Sequence, residues 1–455
     1  MILAAVVALS LTAPEKSTPP SNRHGDHLRE SRRLGGRSGT PAPPLFRFAP
    51  STGAGMTEEC ACTNPTGSRG EALTFTRSSA ATCTKGSVLT GIDNGDLVQC
   101  AADQPRVMRG GDGSGATGLM VEVARTNVVL RSQEMDNASW GNTGTPPTIR
   151  IDHGVAPDGT QTAEAIQFHA VGGGGESGKY QSGLGVVGTG TCSMYLKGAP
   201  PAAGGAAASG SIDLATGAAA NPCTTCTYTA DSWTRCVLSG TVSTYIFLGN
   251  ESAGACAGGA RTEQNVYVWG VQCEAGVLAG TYIPTTTATA TRTIEDASFT
   301  VATQSSGTGI SMTGKFVGWG WPTAATAISG PVTIGADATN NLRNTLSTSG
   351  TVGVCGYLST GQNGTSSATS TMAASGSENK KICVWTGSAA KQRYSVYNGV
   401  TGSTGTSASA TDWNWSTIKL QGEYTDATLV TDYRRPNAVV KEICVNNSAT
   451  KCQDL

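Results

Sequence analysis

The sequence is poor in charge. Only 14% of its 455 residues are Asp, Glu, Lys or Arg, against roughly a quarter in a typical soluble protein. The net charge of −1 leaves no basic surplus, so neither nucleic acid nor an anionic membrane is an electrostatically favoured partner. Histidine is scarce, with four residues (His24, His27, His153, His169) to serve any Ser-His chemistry. No G-x-S-x-G elbow, P-loop or H-E-x-x-H motif occurs. A glycosidase needs two carboxyl groups about 5–10 Å apart, and no strand carries such a pair on one face. Glu295 and Asp296 are adjacent and point to opposite sides. Helical stripes are also missing after residue 60. The apolar stretch of residues 1–13 (MILAAVVALSLTA) is too short to span a bilayer. These absences exclude the common enzyme classes and predict a chain without enzymatic activity or a membrane span.

What the chain has instead is glycine (60 residues) and abundant Ser, Thr and Ala, the composition of short strands joined by small-residue turns. Ile166 and Phe168 alternate with polar neighbours, as do Cys192, Met194 and Leu196, then Val266 and Val268, and near the end Ile443 and Val445. This period of two predicts half-buried antiparallel strands. Asn398-Gly399 after Tyr394–Tyr397 is a two-residue hairpin signal, because both residues tolerate positive φ. The expected fold class is all-β: tandem jelly-roll or β-sandwich modules behind a disordered N-terminal tail. Residues 1–59 form that tail, either a weak signal sequence with linker or a segment ahead of a true start at Met56. Residues 60–135 are read as a collar or attachment segment, 136–296 as a jelly roll and 297–455 as a second sandwich. Within these, 198–222 reads as a low-complexity loop and 284–296 as an extended connector.

The 14 cysteines fall into groups of four, six and four along the chain. Even numbers in each region suit disulfides within modules, hence an oxidising, extracellular compartment. Zinc is the competing reading at Cys223-x-x-Cys226 with Cys236 nearby, but no histidine stands close enough in sequence to complete four ligands.

Several motifs resemble phage head-spike and tail-fibre proteins. Residues 75–82 (FTRSSAAT) resemble that family's FTRASTAT opening, and Pro105-Arg106 its Pro-Arg pair. Residues 118–140 (GLMVEVARTNVVLRSQEMDNASW) resemble its GLLIEEARTNLLLQSEDFSNAAW run. Residues 157–160 (PDGT), 193–198 (SMYLKG), 268–276 (VWGVQCEAG), 281–285 (TYIPT) and Thr291-Arg292 match later signatures. Modules with that closing signature resemble carbohydrate-binding jelly rolls. Residues 394–400 look more loosely like a laminin-G or concanavalin-A hairpin. The resemblance implies a virion-surface or extracellular protein that attaches to a cell-surface glycan or receptor alongside other virion proteins. A homo-oligomer such as a trimer is the expected assembly. A structural decoration protein, a secreted bacterial adhesin and a polysaccharide depolymerase are the alternatives.

Three sets of residues stand out. Glu122, Arg125 and Asn127 suit a structural clamp in which a buried Arg pairs with Glu. Glu274 could contribute to a calcium site of carboxylates and carbonyls, and no cofactor motif occurs. The tryptophans of the last module are the ligand candidates: Trp413 with Trp415, Trp319 with Trp321, and Trp385. Each i, i+2 pair places two indoles on one strand face, where sugar rings stack. The competing role for each pair is core packing. Failing these, the middle module offers Trp233 and Trp269.

Overall fold

Alternating burial carries the architecture. The computed structural model describes most residues between 71 and 305, together with 46–48, 60–61 and the strands between 310 and 446. Among them are thirty-one strands and no α-helix, so the all-β expectation holds. No helix among the described residues is long and apolar enough to cross a membrane.

The middle region is a two-layer sandwich. One layer has six strands, in spatial order Thr148–Gly154, Ala163–Phe168, Gln264–Ala275, Gly188–Gly198, Trp233–Val242 and Thr90–Ile92. The other has five: Gly141–Gly144, Glu176–Ser182, Tyr245–Glu251, Gly210–Ala215 and Cys223–Tyr228. Ile166, Phe168, Met194, Leu196, Val266 and Val268 of the first layer meet Ile212, Leu214, Ile246 and Leu248 of the second in one core. The stretch 198–222, expected to be a loop, therefore contains a strand. Ile212 and Leu214 alternate with Asp213, and that short pattern outweighs the low complexity around it.

The second sandwich is interleaved with the first. Strands Leu73–Thr76, Arg106–Arg109 and Thr117–Val121, all within the predicted collar, join sheets that also hold strands from after residue 295. Phe75 pairs with Ala297, Met120 with Val439. Leu73, Phe75, Val107, Leu119 and Val121 thus share a core with Phe299, Met312, Ile418, Leu420, Val440 and Ile443. The neighbouring Thr90–Ile92 strand instead pairs with Trp233 and Thr234 of the middle layer. Tyr397 pairs with Val400, the register that the Asn398-Gly399 signal calls for. Within the predicted tail of 1–59, Phe46–Phe48 forms a strand that pairs with Ile443, Cys444 and Val445. Residues 1–45 lie outside the described residues.

The six middle cysteines pair with one another: Cys192–Cys273, Cys223–Cys256 and Cys226–Cys236. Cys83, Cys100, Cys383 and Cys444 are disulfide-bonded as well. With Cys223 and Cys226 in separate disulfides, the zinc reading falls. Bonds of this kind persist in oxidising compartments, which assigns the chain to the secreted or extracellular class.

One glycine organises the outer face of the six-stranded layer. Along Gln264–Ala275, Val266 and Val268 face the core, and then Val271 and Cys273 do. The parity changes because a β-bulge falls between the pairs Tyr195–Trp269 and Ser193–Gln272. Gly270 supplies the positive φ, 63°, that such a bulge requires. A Cβ there would sit 3.1 Å from the Tyr195 ring and 3.3 Å from that of Tyr282. The bulge splits the outward residues into an aromatic end (Tyr267, Trp269) and a polar end (Gln272, Glu274).

Candidate functional site

The polar end is sealed. Arg77, Arg106, Glu122, Arg292 and Glu295 have no exposed side-chain surface and form one ionic cluster. Arg106 Nη2 lies 2.7 Å from Glu122 Oε2 and 2.6 Å from Glu295 Oε1. Arg77 Nη1 approaches Glu295 Oε1 at 2.7 Å, and Arg292 Nη1 approaches Glu122 Oε2 at 3.2 Å. Thr281 donates to Glu122 through both its N–H and its hydroxyl, while the Glu122 N–H donates to Glu295. Burial alone would raise the Glu122 carboxyl, but Arg292, Arg106 and the two Thr281 hydrogen bonds outweigh it and hold it at about 2. The stretch 284–296, expected to be a plain connector, supplies two members of this cluster and a strand, Ala290–Arg292, that pairs with Arg125–Asn127.

Within the predicted clamp the partners differ from the expected ones. Glu122 is held by Arg106 and Arg292, whereas Arg125 lies beside Glu274, Nε to Oε2, at 3.8 Å. The reason is register: Arg125 pairs across the short ladder with Arg292, which takes the position facing Glu122. Asn127 is buried, donating to the Val271 and Ile283 carbonyls and accepting from the Val129 and Cys273 N–H groups.

Glu274 does not fit calcium. Its Oε1 accepts from Gln272 Nε2 and the Gly280 N–H, and Arg125, Arg292 and Arg235 add positive charge around it. Calcium takes six to eight oxygen ligands, whereas here donors occupy Oε1 and the Arg125 guanidinium stands 3.8 Å from Oε2. The candidate metal group among the described residues, Asp213 with Cys223 and Cys256, spends both sulfurs in a disulfide.

Of the tryptophan platforms one side chain is described, and it takes the competing role of core packing. Trp415 is 1% exposed in the core shared by Phe299, Met312 and Ile418. Buried in this way, it presents no face to a ligand. Trp413 and Trp321 lie outside the described residues, as do the side chains of Trp319 and Trp385.

The aromatic end is open. Beneath it Tyr195, Trp233, Trp269 and Tyr282 pack into a small second core with Ile92, Leu97, Ala156 and Ala163. The indole N–H groups of Trp233 and Trp269 donate to Asn94 Oδ1 and Thr162 Oγ1, each at 3.0 Å. Tyr267 lies half-buried on this layer. Together with Asn94, His153, Gly154, Val155, Gln161 and Lys197 it lines a cavity of about 320 Å³. The His153 ring stacks on Tyr267 with centroids 6.1 Å apart, and its Nδ1 is 3.3 Å from the tyrosine hydroxyl. Arg150 stands behind His153, Nη1 to Nε2, at 3.0 Å. Gly154 admits the ring closely, since a Cβ there would come within 2.6 Å of it. Lys197 is the cross-strand neighbour of Tyr267. Burial raises the Tyr267 hydroxyl pKa and Arg150 opposes the shift, so the phenol is a neutral donor and acceptor. The cavity therefore offers an aromatic face, an apolar rim at Val155, two amides and a cation. Sequence reasoning overlooked it because its lining comes from five separate stretches with no shared motif. The usable signal was Lys197 and Tyr267 at outward positions of two strongly alternating strands.

No family model matches the chain, and no curated protein does. Among solved structures, NanB plus Optactamide is similar over 34% of this chain and 25% of its own, at 12% identity and a TM-score of 0.24. The chain thus spans a quarter of that protein's length. The CBM22-1-CBM22-2 tandem domain of Paenibacillus barcinonensis Xyn10C is similar over 71% of this chain and 98% of its own, at 8% identity and a TM-score of 0.22. At these scores neither likeness bears on function.

Proposed function

We propose that this chain is a non-enzymatic attachment protein that recognises a cell-surface glycan through the cavity around Tyr267. The single observation carrying the reading is that cavity. Sugar rings present apolar C–H faces to an aromatic ring, and fixed polar groups select their hydroxyls. Asn94 has committed its Oδ1 to Trp233 and keeps its amide N–H groups for a ligand. Gln161 has committed Nε2 to the Asp152 carbonyl and keeps its Oε1. No carboxylate lines the cavity, whereas hydrolysis by the usual glycosidase route calls on two. The resemblance of residues 75–82 and 118–140 to phage spike and fibre proteins supports a place on a virion surface, next to other virion proteins, in a homo-oligomer such as a trimer.

A glycan array probed with the intact chain and with Tyr267→Ala tests this. The reading expects glycans bound by the parent and lost by the variant at an unchanged fold. Undiminished binding by a folded variant would remove the cavity from the account.

A further inference from the structure

We infer that the cavity selects acidic sugars, those bearing a carboxylate or sulfate, over their neutral counterparts. This rests on the glycan reading above and sharpens it. Lys197 lies opposite Tyr267 in the ladder and lines the same cavity. Among the described residues no ion pair or hydrogen bond occupies its ammonium. The other long cations nearby are engaged: Arg150 with His153 and the Pro200 carbonyl, Arg235 with Ser193 Oγ and the Gly280 carbonyl.

The seven lining residues include Lys197 and no carboxylate, and the Arg150 guanidinium lies 3.0 Å from Nε2 of the lining residue His153. The acids nearest in sequence are turned to other work or lie off the lining. Asp96 caps its own turn by accepting the Asp93 N–H, and Asp158 accepts from the Thr160 N–H and hydroxyl. Neither these nor Asp93 and Asp152 line the cavity. A cation held beside an aromatic face without a counter-ion is a site for an anion, and the face selects an anion attached to a ring. Gln161 adds neutral polarity to the lining, on which no carboxylate competes for Lys197. A neutral sugar would satisfy the amides and the ring but leave Lys197 unpaired. An acidic one would satisfy all three.

The test uses matched pairs in which only the charge changes: sialyllactose against lactose, oligogalacturonate against its methyl ester, and sulfated against unsulfated galactans. Binding to the intact chain is measured by calorimetry at two salt concentrations. The expected result is that at least one acidic member binds about tenfold or more tighter than its neutral partner, with the margin shrinking at high salt. Lys197→Met, which keeps the aliphatic stem, should erase that margin. Equal affinity within every pair, or a margin that survives Lys197→Met, overturns the acidic selectivity and leaves the glycan reading standing. Failure of every pair, with no glycan bound on the array either, overturns both.

Discussion

Two ends of one sheet face, a few residues apart on the same strand, have opposite characters. Beyond Gly270, Gln272 and Glu274 run into a sealed cluster where Arg77, Arg106, Arg292, Glu122 and Glu295 use one another. Before it, Tyr267 faces an open cavity whose Asn94, Gln161 and Lys197 retain unspent hydrogen-bonding capacity. Rich charge is therefore a poor guide to a binding site here. The ionic cluster joins strands from residues 73–121 to those after 290 and specifies how the interleaved sandwiches meet, while the sparsely charged end is free to meet a partner. A buried charge stripped of its partner is costly, and a half-exposed cation is not.

That contrast can be broken most violently at the cluster. Arg106→Met leaves both Glu122 and Glu295 short of a counter-ion and should destabilise by about 3–5 kcal/mol, read as a shifted denaturant midpoint. Trp415→Ala should cost a similar amount, about 3–5 kcal/mol, by opening a cavity in the second sandwich. Loss of glycan binding without loss of stability in that variant would return the tryptophan to the surface.

Acid sharpens the comparison. Glu122 is held at about 2 in the fold, against 4.5 when unperturbed. A depressed carboxyl stabilises fully above its unfolded value, and that contribution drains away as the pH falls through the folded one. Stability should therefore decline between about pH 4.5 and 2, and Glu122→Gln, already weakened at neutral pH, should lose less of its remaining stability over that window. An identical acid profile for both proteins would mean that Glu122 is not held low. Gly154→Ala should have a smaller effect, about 1–3 kcal/mol from crowding the Tyr267 ring, together with reduced ligand affinity.

Much of the scaffold was legible because it is written in local pattern. The alternation at Ile166, Met194 and Val266 and the even set of six middle cysteines both point to the sandwich that forms. The strand Gly210–Ala215 was hidden because Ile212 and Leu214 are only two apolar residues in a field of Gly and Ala. The interleaving was hidden for another reason: the partners of Phe75 and Met120 lie more than two hundred residues away, and no local pattern encodes that pairing. For Glu122 the sequence suggested a clamp but misassigned its cation, since Arg106 and Arg292 reach it through sheet register rather than proximity in the chain. The cavity left the weakest trace, because Asn94, His153, Gln161, Lys197 and Tyr267 are ordinary residues until the sheet collects them.

Thermal melting and glycan affinity measured on the same preparations of Arg106→Met and Tyr267→Ala test the division between scaffold and site most directly. The account predicts that Arg106→Met melts well below the parent yet binds while folded, and that Tyr267→Ala melts near the parent yet does not bind. The reverse pattern, a stable Arg106→Met that fails to bind beside a Tyr267→Ala that binds normally, would contradict it.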